Sequence, residues 1–305
     1  MRKFCALIIL ILISHLITNL KSMIELIDNE LSNWKMAKDN WLASGGNSMT
    51  YLELPVISFR LLNDINTYHK NARYDHLLPP LQVLGNLDKE GNSEKLLIIS
   101  LEPLKNMSDF NLQYAYFFNL TNSSYGNNLL NYNNYLKYQI EYFRTFPNII
   151  NLPSPHARGS NKYWRYIDCL SNGYQNNPIM LSQNWDTLGN TIIDLPISPL
   201  WARSHPNFYP NQILTKLFIQ KIKILKPKKI LVLGKAKFDF IINLFNINVN
   251  NNFSLFSMNG NNPVYESNLN LNEYQFKIYF RRFFSNGGGS YEDAYNLGNM
   301  ICNDN

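Results

Sequence analysis

Short apolar runs separated by longer amphipathic stretches set the plan of this chain. Lys95–Leu101 (KLLIISL), Thr191–Ile197 (TIIDLPI) and Ile230–Leu233 each have the length of a strand buried on both faces. Pro103, Pro196 and Gly234 close them. A fourth segment, Phe276–Phe284 (FKIYFRRFF), alternates: Phe276, Ile278 and Phe280 face one way, Lys277, Tyr279 and Arg281 the other. That pattern predicts a strand with one face less buried. Between the runs, Ile213, Leu214, Leu217, Phe218, Ile222 and Leu225 recur at helical spacing until Lys226-Pro227 breaks the helix. Phe238–Phe245 and Tyr291–Cys302 predict further helices, the last one following the Gly287–Gly289 turn. Nearer the amino end, a helix is expected over 24–44, stopped by Gly45-Gly46. A second helical stripe runs from Tyr132 to Phe146, and Asn148–Asn161 reads as a polar loop. Helix, strand, glycine, helix is the grammar of a parallel sheet with crossover helices, so the fold class is α/β.

Composition adds three constraints. An aromatic share of 14% and an apolar share of 45% are enough for a real core, so the Asn runs are loop filler rather than a disordered tract. A net charge of +6 suits an anionic partner, with nucleic acid the first candidate, and the seven lysines between Lys221 and Lys237 include no acid among them. That run reads equally well as a solvated helix end and turn. Cys5, Cys169 and Cys302 form no C-x-x-C pair and no Cys/His cluster, so no disulfide framework, metal site or cofactor is expected. The chain divides into residues 1–22 and a single α/β domain over 23–305. Arg2 and Lys3 followed by the apolar Cys5–Ile13 look like a signal-peptide core, too short to span a bilayer. No A-x-A site follows, so Met23 as the true start is an equal alternative. The expectation is a cytoplasmic protein, or a secreted or envelope one if residues 1–22 are a true signal or anchor.

In an open parallel sheet, ligands bind beyond the carboxyl ends of the strands. The residues there are Glu102 after the first strand, Asp194 and then Ser198 and His205 on and after the second, Gly234 after the third, and Arg281, Arg282 and Ser285 after the fourth. Two carboxylates and several cations in one place suit hydrolysis: a carboxylate positions or deprotonates water, and a cation stabilises an anionic leaving group. Glu102 serves equally as a cap on the next helix, and Asp194 as half of a structural ion pair. The absence of G-x-S-x-G leaves a lipase-type nucleophile unsupported.

The order of these segments resembles the uracil-DNA glycosylase superfamily, over roughly residues 95–302. Ser100-Leu101-Glu102-Pro103-Leu104 matches the family's first loop, of the type G-Q-D-P-Y. Ile192-Ile193-Asp194 matches its L-L-L-N, and Ile230–Gly234 its L-L-x-G. The family's H-P-S loop is replaced by Arg281-Arg282-Phe283-Phe284-Ser285-Asn286. The resemblance implies a three-layer α/β/α fold with a four-stranded, mainly parallel sheet. It implies hydrolysis of an N-glycosidic bond, or recognition of a nucleobase in nucleic acid, without metal or cofactor. Glu102 would activate water, and Arg282 or His205 would steady the leaving base. Leu101, Pro103, Asp194, Ser198, Arg281 and Ser285 would line the substrate, with Phe110 and Tyr114 stacking a flipped base. The alternative on the same scaffold is a non-catalytic protein that binds a nucleotide, nucleic acid or a partner.

Overall fold

The computed structural model describes residues 23–28, 32, 74–75, 83, 85–87, 93–100, 157–181, 185–197, 201–202, 212–248, 252–271, 274–284 and 289–304. In chain order these form β1 (Tyr74–Asp75), β2 (Leu96–Ser100), α1 (Ala157–Tyr174), α2 (Trp185–Thr191), β3 (Ile192–Pro196), β4 (Trp201–Ala202) and α3 (Gln212–Leu225). Then come β5 (Lys229–Leu233), α4 (Lys235–Phe245), β6 (Ser254–Asn259), β7 (Asn262–Leu271), β8 (Tyr274–Arg281) and α5 (Tyr291–Asn303). Residues 23–28 are also helical, and Met23, Leu26 and Ile27 are buried in the core. The remainder of the expected 24–44 helix and the Tyr132–Phe146 stripe lie outside the described residues.

The main sheet has six strands in the order β3-β2-β5-β8-β7-β6. β3, β2, β5 and β8 run parallel, and β7 and β6 continue the sheet antiparallel. The fold is α/β, as the alternation of runs predicts, but the sheet is mixed and has two strands more than expected. The extra strands are a hairpin turning at Gly260, where a φ of 60° is cheap only without a Cβ. A separate pair, β1 with β4, is antiparallel.

The core divides by sheet face. On one side Leu97, Ile99, Ile193, Ile230, Val232 and Ile278 pack with Phe218, Ile222 and Leu225 of α3 and Phe240 and Ile241 of α4. On the other, Leu96, Ile98, Ile192, Leu231 and Tyr279 pack with Ile167 and Leu170 of α1 and Leu297 and Ile301 of α5. Apolar residues on both faces explain why the strand sequences are continuous rather than alternating.

Two expectations are corrected here. β8 lies between β5 and β7, and its second face is covered too: Tyr279 and Arg281 are both 0% exposed. The less buried face holds only at the start of the strand, where Gln275 is exposed and Lys277 half-buried; at its end the alternation reflects two differently filled interiors. The polar loop drawn to Asn161 ends earlier, because α1 begins at Ala157. The buried Tyr166, Ile167 and Leu170 anchor that helix, and its polar first turns extend it from them.

α1 and α5 touch backbone to backbone. A Cβ on Gly298 would stand 2.1 Å from the Leu170 carbonyl oxygen, and one on Gly173 would stand 1.9 Å from that of Tyr295. α5 is started by Ser290, whose hydroxyl accepts from the Asp293 N–H at 3.0 Å while the Asp293 carboxylate accepts from the Ser290 N–H at 2.6 Å. Lys229 at the start of β5 donates to the Ile301 and Cys302 carbonyls at 2.7 and 3.2 Å, capping the other end of α5.

Candidate functional site

Parallel strands carry their carboxyl ends to one rim, and β2 sits centrally between β3 and β5. Asp194 of β3 is in register with Ile98 of β2, which is in register with Leu231 of β5. The chain leaves β2 after Ser100, whose carbonyl accepts from the Ile197 N–H at 2.9 Å. Glu102 comes two residues later. Glu102 itself lies outside the described residues, as do Leu101, Pro103, Phe110, Tyr114, Ser198, His205 and Ser285.

Asp194 is buried, at 3% exposure. Its carboxylate acts on Lys237, in the first turn of α4. The link between β5 and α4 is the single residue Gly234, at φ 105° and ψ 152°, a conformation closed to side-chain-bearing residues. Its N–H donates to the Arg281 carbonyl at 2.9 Å, so the β5–α4 turn is tied to the end of β8. A Cβ there would lie 3.7 Å from Lys237 Cε and 4.0 Å from Phe283 Cβ. The lysine stem therefore lies across the glycine, and its Nζ stands 5.9 Å from the centre of the Phe283 ring. Phe283 is set against Tyr166 edge to face, with centroids 6.0 Å apart. Tyr166 in turn stacks on Phe284 at 5.0 Å and lies 4.7 Å from Tyr291. Its hydroxyl donates to the Gly289 carbonyl at 3.0 Å.

Burial pulls the Lys237 ammonium down to a pKa of about 8, and the nearby Asp194 carboxylate pulls it up against that effect. Lys235, the first residue of α4, is different: it is exposed and closes onto Asp239 at 2.8 Å. A buried carboxylate in the middle of β3 and, just past the end of β5, an amine whose charged form burial disfavours thus lie toward one end of the sheet. Such a pair can orient a polar ring, move a proton or present a nucleophile.

The two arginines at the end of β8 part company. Arg281 is enclosed in the core, its guanidinium carbon 4.2 Å from the centre of the Phe284 ring. Nη1 donates to the Arg282 carbonyl at 2.9 Å and Nη2 to the Asn259 carbonyl at 3.4 Å, while Nε has no acceptor among the described residues. Burial pushes its pKa down, and Asp293 and Tyr166 oppose that. Arg282 is exposed. The opposite orientation of the two neighbours follows from the strand period, so of the two only Arg282 is open to a ligand from solvent.

The lysine run does not form one patch. Lys221 is buried at 1% exposure, and Lys223 lies in the last turn of α3 with Lys228 just before β5. Lys235 and Lys237 stand beyond the other end of the same strand. Five residues of strand, about 16 Å, separate the groups. Lys228 is engaged with Glu94.

Lys237 is the rim residue that sequence patterning does not single out. Its signal is the G-K-A-K that ends the third apolar run, in the first helical turn after a buried strand. Among the described residues, no three His, Cys, Asp or Glu side chains gather in one place, and no helix is long and apolar enough to cross a membrane. The chain matches no protein-family model and no curated protein.

Proposed function

We propose that this chain is a uracil-DNA-glycosylase-like protein that holds a nucleobase at the carboxyl rim of its parallel strands and hydrolyses the bond to its sugar. The observation that carries this reading is the placement of buried Asp194 on β3 and of Lys237 just past β5, whose charge Asp194 favours, on either side of the strand that leads into Glu102. In this mechanism Glu102 takes a proton from water, the water oxygen adds to C1′, and the base leaves with the electrons of the C1′–N bond. A cation, Lys237, Arg282 or His205, offsets the charge on the departing base. Asp194 accepts a hydrogen bond, which selects a base presenting an N–H there over the bare carbonyl of uracil.

The test is release of free base from duplexes carrying a panel of deaminated and alkylated bases. Glu102→Gln is expected to lower the rate by about 100-fold or more while duplex binding persists. Equal rates in the variant and the wild type overturn the mechanism. The enclosure of Arg281 favours a second reading, binding without cleavage, since it removes a cation from the rim. Mobility shifts of damaged duplexes with no base released across the whole panel would select that reading.

A further inference from the structure

We propose that Lys237 is an amine nucleophile toward an aldehyde, and that this aldehyde is the ring-opened C1′ of an abasic deoxyribose in DNA. The inference rests on the base-excision reading, since an abasic sugar is the product that base removal leaves. Its ground is the setting of the amine. The Lys237 stem crosses the bare backbone of Gly234, and its Nζ faces the Phe283 ring with the Asp194 carboxylate nearby. Other lysines of the sheet ends are closed onto oxygens: Lys235 onto Asp239, Lys277 onto Asp304, Lys229 onto the end of α5. Lys237 also occupies the first turn of α4, where the helix dipole disfavours a cation. Burial acts in the same direction, so this amine is more readily unprotonated than an exposed lysine, as imine chemistry requires.

The step balances within these groups. The nitrogen lone pair forms the N–C1′ bond, and the carbonyl π electrons move to oxygen, which takes the proton that nitrogen gives up. Loss of that oxygen as water, with the second nitrogen proton, leaves the C=N bond. No oxidant or reductant is consumed.

The experiment uses the full chain, a duplex with one preformed abasic site, and cyanoborohydride, which reduces an imine to a stable secondary amine. A protein–DNA adduct is expected, with the modified peptide containing Lys237. Lys237→Arg is expected to lower the adduct by at least about ten-fold, and Lys223→Arg, at the opposite end of the sheet, to leave it unchanged. Peptide mapping on the wild type decides the site even if a variant folds poorly. No adduct on the wild type, or an adduct mapped to another amine, overturns the proposal. A parallel arm offers free deoxyribose 5-phosphate, and trapping of that sugar without trapping of the duplex overturns the assignment to DNA. Base release from intact substrates without any adduct overturns the imine alone. An adduct without base release supports the imine and overturns the excision step.

Discussion

Asp194 and Lys237 are defined by opposing effects on one proton. Burial and the first turn of α4 favour the neutral amine, and the carboxylate favours the ammonium. Asp194→Asn removes only the second influence. The Lys237 pKa is therefore expected to fall below about 8, read from the pH titration of a ¹³C-methylated lysine by NMR. A rise, or no change, would mean that the two side chains do not interact. Asp304 shows the reverse case. Its carboxylate accepts from the Tyr279 hydroxyl at 2.5 Å and from Lys277 Nζ at 2.9 Å. Burial opposes ionisation, but these donors outweigh it and hold the pKa below its ordinary 3.8. A lowered folded pKa stabilises the fold fully above the unfolded value, and that contribution is lost as pH falls through the folded value. Asp304→Asn is expected to cost about 2 kcal/mol at neutral pH, shrinking toward zero in strong acid, by denaturant melts across the range. An equal loss at both ends of the range would rule out the ionised carboxylate as the source. Asp194 is visible in the sequence because an acid inside an apolar run demands a reason. Lys237 is not, because a lysine after a strand is ordinary until its burial is known.

At the scale of elements, the crossing of α1 and α5 rests on two absences of side chain. Gly298→Ala is expected to destabilise the protein by about 2 kcal/mol or more, since the new methyl meets the Leu170 carbonyl and neither backbone can yield without moving its helix. Chemical denaturation checks this, and a neutral result would show that the helices separate freely. The same elements differ in how legible they are before folding. The β2, β3 and β5 cores and α3 stand out because burial on one or both faces writes a clear apolar period. The β6–β7 hairpin does not. β6 is an edge strand with Leu255 and Met258 exposed at 59% and 54%, and the outward positions of β7 include Asn268 and Asn270. Its one strong cue is Asn259-Gly260, a turn signal that is easily lost in so Asn-rich a chain. The start of α1 is hidden similarly. Arg158-Gly159-Ser160-Asn161 has loop chemistry and is held helical by the buried turns from Tyr166 to Leu170.

At the scale of the whole molecule, the lysines of the described Lys221–Lys237 run are divided between the two ends of the sheet, and this makes the location of an anionic ligand testable by charge alone. Lys223 lies near the amino ends of the parallel strands and Lys235 at their carboxyl rim, and both are exposed. Replacing either by Ala lowers the net charge equally, so any long-range attraction of nucleic acid falls equally in the two variants. A direct phosphate contact behaves differently, because its loss removes one released counterion and lowers the salt slope of binding by about one unit. If the nucleic acid lies over the rim, Lys235→Ala is expected to weaken binding several-fold, by roughly 0.5–1 kcal/mol, and to flatten the salt dependence. Lys223→Ala is expected to leave both within error of the wild type. Fluorescence anisotropy with a short duplex at several salt concentrations measures the two quantities together. Equal effects from the two lysines would mean that the chain attracts nucleic acid only through its overall charge, and a larger effect from Lys223 would move the ligand to the opposite end of the sheet.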